Sequence, residues 1–156
     1  MGTQPVIALD AMSGDLGAEV VVRAARACLD RTANLELILV GDEDEIDSLV
    51  TRIVGNEPRL SICPATEVVG MSESAADAIR KKKDSSMRVA INLVKEGVAE
   101  ACVSAGNTGA LMATAKFVLK MLPGVDRPAL IAELPAKIGT VHMLDLGLNT
   151  ANDPEQ

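Results

Sequence analysis

The 156-residue chain contains no Trp, no Tyr and a single Phe, Phe117. Its core must therefore be built from Ala, Val, Ile, Leu and seven Met, which argues against a base-stacking platform for single-stranded nucleic acid. Positive charge is scarce as well, with 15 Lys and Arg against 22 Asp and Glu and a formal charge of −7. Binding a phosphate backbone needs a concentrated positive surface, so nucleic acid is not an expected partner, although one local site for a small anion remains compatible. Histidine occurs once, as His142 in an apolar V-H-M-L run that reads as a strand, and there is no C-x-x-C pair, so no metal site is expected. Cys28, Cys63 and Cys102 stand far apart beside apolar or small neighbours and read as reduced, buried thiols of a cytoplasmic protein. No apolar run is long enough to span a bilayer, and Val6 opens a strand before any signal-peptide pattern appears. Peripheral contact at the inner face of the membrane stays open.

What the chain does have is 48% hydrophobic residues, which suits one α/β domain over residues 1–156. Its organising stretch is Ala101 to Leu122. An apolar run ending at Val103 predicts a buried strand, the small residues Ser104 to Gly109 a tight loop, and the spacing of Leu111, Ala115, Val118, Leu119 and Leu122 a helix. A strand, small-residue loop and helix in that order aim unpaired N–H groups, at the positive end of a helix dipole, into the space beyond the strand. Gly106 and Gly109 would leave the approach open, while Ser104, Asn107 and Thr108 supply side-chain donors. This is a candidate phosphate or oxyanion site. Asn107 or Thr108 is equally suited to capping the helix, and the loop is neither a Walker pattern nor G-x-G-x-x-G.

The remaining chain alternates strands and helices. Val6 to Leu9 predicts a strand delivering Asp10, followed by a loop through Asp15 and a helix on Ala18, Val21, Val22, Ala25 and Leu29. Asp10 reads as a site residue, and Asp15 either as a site residue or as the helix cap. Leu35 to Val40 is a second strand, and Asp42 with Glu45 forms a capping box for the next helix. Arg59 to Cys63 is a third strand. Ser74 to Ile79 predicts a short helix running into Arg80-Lys81-Lys82-Lys83, the one strongly positive patch, which serves as a solvated helix end, a phosphate clamp or a dock for an acidic partner. Ser85 and Ser86 open a helix that Gly97 ends. Ala129 to Leu134 and Val141 to Leu146 lie close enough to form a hairpin. Together these predict a doubly wound, three-layer α/β/α fold on a mostly parallel sheet, with one hairpin near the C-terminus.

Six blocks in order resemble the bacterial phosphate acyltransferase family of phospholipid synthesis: L-D-A-M-S-G-D (Leu9 to Asp15), K-K-K-D-S-S-M-R-V-A (Lys81 to Ala90), L-V-K-E-G (Leu93 to Gly97), V-S-A-G-N-T-G-A-L-M-A (Val103 to Ala113), R-P-A (Arg127 to Ala129) and L-D-L-G (Leu144 to Gly147). The resemblance implies formation of acyl phosphate from acyl-acyl carrier protein and inorganic phosphate, without a cofactor, in a homodimer. It places Ser104, Asn107, Thr108 and Asp10 at the chemistry. It adds the amides of Gly106 and Gly109, then Lys81, Lys82, Lys83, Ser85, Ser86, Asp15 and Asn149, as substrate-binding groups. Two departures stand out. Ser13 replaces a Gly of the family pattern D-x-M-G-G-D, which implies strain if that backbone takes positive φ, and the segment after L-D-L-G differs around Asn149. Family members are longer, and this sequence resembles their N-terminal half. Two other readings are a non-catalytic, self-associating domain and a phosphotransacetylase-like enzyme using coenzyme A.

Overall fold

A computed structural model describes residues 4–144 and 146. The chain divides into two compact units, Met1–Leu119 and Lys120–Gln156. The first unit contains β1 (Val6–Asp10), α1 (Ala18–Arg31), β2 (Glu36–Gly41), α2 (Glu43–Ile53), β3 (Leu60–Pro64), α3 (Ala75–Lys81), α4 (Ser86–Lys95), β4 (Ala101–Val103) and α5 (Thr108–Leu119). Its four strands form one parallel sheet in the order β3-β2-β1-β4.

Both faces of β1 and β2 are covered, which is why those strands are continuous apolar runs rather than alternating ones. β4, expected to be buried, instead lies at the sheet edge with Ala101 and Val103 exposed. Ile7 and Leu9 of β1, with Leu37 and Leu39 of β2, pack against Val22, Ala25 and Leu29 of α1 and Ile46 of α2. The opposite parity, Ala8 with Ile38 and Val40, packs against Ala90 of α4 and Ala99. Ala8, Ala90 and Ala99 are all buried, and their small size lets α4 lie close to the sheet. α5 then joins α4 and α3 through Met87, Ile91, Ala110, Val118 and Ala78.

The strand order reverses at β1: the chain steps outward through β2 and β3, then returns to place β4 on the other side of β1. The carboxyl ends of β1 and β4 therefore flank the switch point, where ligands of open parallel sheets bind.

The caps follow local chemistry. Asp42 accepts the Glu45 amide at 3.0 Å, Ser74 caps α3 through the Asp77 amide, and Ser85 caps α4 through the Arg88 amide at 3.3 Å. α5 stops earlier than its periodicity predicts. It ends at Leu119, with Lys120 in the left-handed region at φ 70°, rather than running to Leu122.

The second unit holds β5 (Ile131–Pro135) and β6 (Thr140–Leu144), an antiparallel hairpin that pairs Ile131 with Leu144 and Pro135 with Thr140. His142 lies in β6, exposed, opposite Glu133. Asp145, Gly147 and Asn149 lie outside the described residues.

The three cysteines are free, but the expectation of burial needs correction. Cys28 is exposed and Cys63 and Cys102 are only partly buried. Cys28 sits one position off the buried stripe Ala18, Val22, Ala25, Leu29, and Cys102 lies in β4, an edge strand of the sheet. No helix among the described residues is long and apolar enough to cross a membrane.

Candidate active site

Asp10 ends β1 and Ser104 follows β4, so parallel pairing of the two strands brings both to the same end of the sheet. The Ser104 hydroxyl donates to Asp10 Oδ2 at 2.6 Å, and Asp10 is 2% exposed. The same hydroxyl oxygen accepts the Gly106 amide at 3.1 Å. Ser104 and the Gly106 N–H are thereby committed to each other and to Asp10, and they shape the loop rather than offer free donors.

Asn107 is likewise engaged at both ends of its amide. Its Oδ1 accepts the Ala110 N–H at 3.0 Å and caps α5. Its Nδ2 faces the carbonyls of Gly70, Met71 and Glu73 at 3.3, 3.0 and 2.9 Å. The residues left to meet an anion are Thr108, exposed, and Gly109, partly buried, at the start of α5. Their amides lie in the first turn, where an α-helix has no intrahelical acceptor for them.

Gly106 does not keep the approach open, as the sequence suggested. It is buried, and a Cβ there would stand 2.7 Å from Ser13 Cβ, 2.9 Å from Ser13 Oγ and 3.2 Å from Met87 Cε. Its lack of a side chain lets the β4–α5 loop pack against the β1–α1 loop. Gly14, at φ 100°, meets Ala105 in the same contact, 3.3 Å from where its own Cβ would be. Ser13 itself is not strained: Lys120 is the only non-glycine at positive φ among the described residues, and Gly14 carries the left-handed turn instead. The Ser13 hydroxyl is buried and has no hydrogen-bond partner. Asp15 is exposed and does not cap α1. Gly17 holds that position, at φ 72° and without a side-chain cap. A cleft of about 270 Å³, lined by residues 13–17, Val20, Val21 and Ala105, opens beside the two loops.

The basic stretch ends α3. Lys81 pairs with Asp77 at 2.8 Å on the surface, Lys82 is the helix C-cap, and Lys83 is exposed. Ser85 donates to the Lys82 carbonyl at 3.0 Å while capping α4. The Ser86 hydroxyl is fully buried and unpartnered. Ser85 therefore holds the start of α4, and neither serine presents a hydroxyl to solvent.

Sequence reasoning missed several contacts. Asp84 accepts the Thr66 hydroxyl at 2.5 Å and the Thr66 amide at 3.0 Å, which holds its carboxyl below the usual carboxylate range. Arg88 lies over the Phe117 ring at 5.1 Å from its centroid. The clamp of Asn107 on residues 70–73 had no local signal, since its partners are more than 30 residues away. Burial, with the nearby charge of Asp10, raises the Cys102 thiol pKa. No group of three or more His, Cys, Asp or Glu able to hold a metal comes together among the described residues.

Residues 6–156 match the model of a family described as "Fatty acid synthesis protein". The chain belongs to this family. A phosphate acyltransferase from Alcanivorax borkumensis is 54% identical over 149 residues, covering 95% of this chain and 44% of that protein. A phosphate acyltransferase from Coxiella burnetii is 57% identical over 152 residues, covering 96% and 44%. The chain thus spans less than half the length of these relatives. Among solved structures, a phosphotransacetylase from Streptococcus pyogenes superposes with a TM-score of 0.59 at 23% identity, over 85% of this chain and 44% of that one. A EutD phosphotransacetylase from Staphylococcus aureus gives 0.56 at 20%, over 90% and 46%. At those identities the likeness is one of fold, in agreement with the parallel α/β sheet and helices of the first unit.

Proposed function

We propose that this member of the family supplies the phosphate- and oxyanion-binding part of an enzyme that moves an acyl group from acyl-acyl carrier protein to inorganic phosphate. The observation that supports this reading is the loop from Ser104 to Gly109. It sits at the switch point of a parallel sheet, is braced from beneath by Ser104 on Asp10, is closed by the Asn107 cap, and ends in the first-turn amides of Thr108 and Gly109 at the positive pole of α5.

The reaction asks little else of the protein. A phosphate oxygen attacks the thioester carbonyl, the new C–O bond forms as the carbonyl becomes an oxyanion, and its collapse breaks the C–S bond and expels the carrier thiolate. Phosphate is already nucleophilic at neutral pH, so the task is to position two anionic reactants and to stabilise the oxyanion with fixed donors. The amides of Thr108 and Gly109 and the Thr108 hydroxyl fill that role, with Lys82 and Lys83 offsetting phosphate charge.

Thr108→Pro tests the assignment. Proline at the first helical position removes the amide donor, and the hydroxyl with it, while keeping the helix. Phosphate affinity should fall on the order of tenfold to a hundredfold, the range expected for a hydrogen bond to a charged group, with the circular dichroism spectrum unchanged. Unaltered phosphate binding would remove the loop from the site. Acyl phosphate trapped by hydroxylamine, with acyl-acyl carrier protein or acyl-coenzyme A offered as donor, then identifies the acyl donor.

A further inference from the structure

Leu16 is 76% exposed and Val20 45% exposed, although both stand beside a loop with good reasons to be polar. Leu16 lies at the tip of the β1–α1 loop between Gly14 and Gly17, whose positive φ values of 100° and 72° hold that tip away from the core. With Val21 and Ala105 they line the cleft of about 270 Å³ that borders the anion loop. Apolar side chains grouped around an open cleft, rather than scattered singly over a surface, mark a place where an apolar ligand can be met.

We propose that this cleft receives the acyl chain of the thioester substrate, next to its reacting carbonyl. The inference rests on the acyl-transfer reading and deepens it. Two observations select an uncharged, apolar occupant. The lining is mainly Leu, Val, Ala and Gly backbone, and Asp15 at the lip is exposed, so a second anion there would meet a carboxylate. Ala105, between Ser104 and the buried Gly106, forms one wall of the cleft, so a thioester chain lying in the cleft rests against the loop that ends in Thr108 and Gly109. The volume is small for a ligand site, so the cleft reads only the first carbons of the chain.

The test is the dependence of binding on chain length. Acyl-pantetheine thioesters from butanoyl to decanoyl are titrated against the 156-residue chain, in parallel with inorganic phosphate. Because the chain has no Trp or Tyr, Leu16→Trp reports on the cleft alone by fluorescence, and Phe117→Trp serves as a distant control. Affinity should rise up to about fourfold per methylene over the shorter chains, as expected for burying CH2 groups, and Leu16→Trp should shift to the blue while Phe117→Trp does not. Val20→Asp, at an exposed position where folding is not at risk, should flatten that slope. A slope that survives Val20→Asp, or a length-independent affinity, overturns the cleft assignment. If phosphate still binds in that case, the anion-loop reading stands. Loss of both phosphate and thioester binding in the unaltered, folded chain overturns the two together.

Discussion

The Ser104 hydroxyl donates to the Asp10 carboxylate across 94 residues of sequence, at 2.6 Å, and joins the ends of two neighbouring parallel strands beneath the glycine loop. Asp10→Ala should leave the partly buried Ser104 hydroxyl without its acceptor, at about 1–3 kcal/mol. Asp10→Asn keeps an oxygen for Ser104 and should cost less. Urea unfolding of the two variants, compared at constant m-value, checks the order.

Gly106→Ala should destabilise by about 1–3 kcal/mol through overpacking, since the new Cβ would press on Ser13 and Met87. The clash with Ser13 is with a side chain, so Ser13→Gly in the same chain should recover much of the loss. A double-mutant cycle measures this directly, and simple additivity would show that the two loops do not constrain each other.

Asn107 links a helix cap to the loop at residues 70–73. Asn107→Ala should therefore lose more than the roughly 1 kcal/mol of an ordinary cap. Asn107→Asp retains the acceptor for Ala110 but sets a carboxylate against three carbonyls, so it should free residues 70–73 while α5 keeps its start. Amide hydrogen exchange separates the two effects, with faster exchange at 70–73 in both variants and at Ala110 in Asn107→Ala only.

Asp84 gives the fold an acid-sensitive tie. The Thr66 hydroxyl and amide lower its pKa from the ordinary 3.8, so the contribution is present above that value and disappears as pH falls through the lower, folded value. Asp84→Asn should be less stable than the natural chain at pH 6, and the difference should close below about pH 4. Thermal melts at a series of pH values give the comparison, and a gap that widens in acid would contradict it.

The strands, the helices and the position of the loop were legible because each rests on local chemistry. Val6 to Leu9 is an apolar run because both faces of β1 are covered, Asp42 and Glu45 mark a helix start, and Ser104 to Gly109 separates a strand from a helix with small residues. The roles within the loop were less legible. Ser104, Asn107 and the Gly106 amide had every donor needed for an anion, and the structure engages all three with protein groups. The sequence could not show this, because a hydroxyl or amide has the same composition whether it faces a ligand, a carboxylate 94 residues away or three carbonyls of another loop.

The amino-acid sequence by itself determined the class of fold, the order of its elements and the position of the small-residue loop between β4 and α5, since hydrophobic period, caps and turn residues act over a few positions. Tertiary structure alone decided which donors of that loop are engaged by protein groups, that Ser13 takes no left-handed turn, and that Gly106 is a contact between loops rather than an open approach. Those outcomes depend on groups far apart in the chain competing for the same hydrogen bonds and the same space, and that competition exists only once β1 and β4 lie side by side.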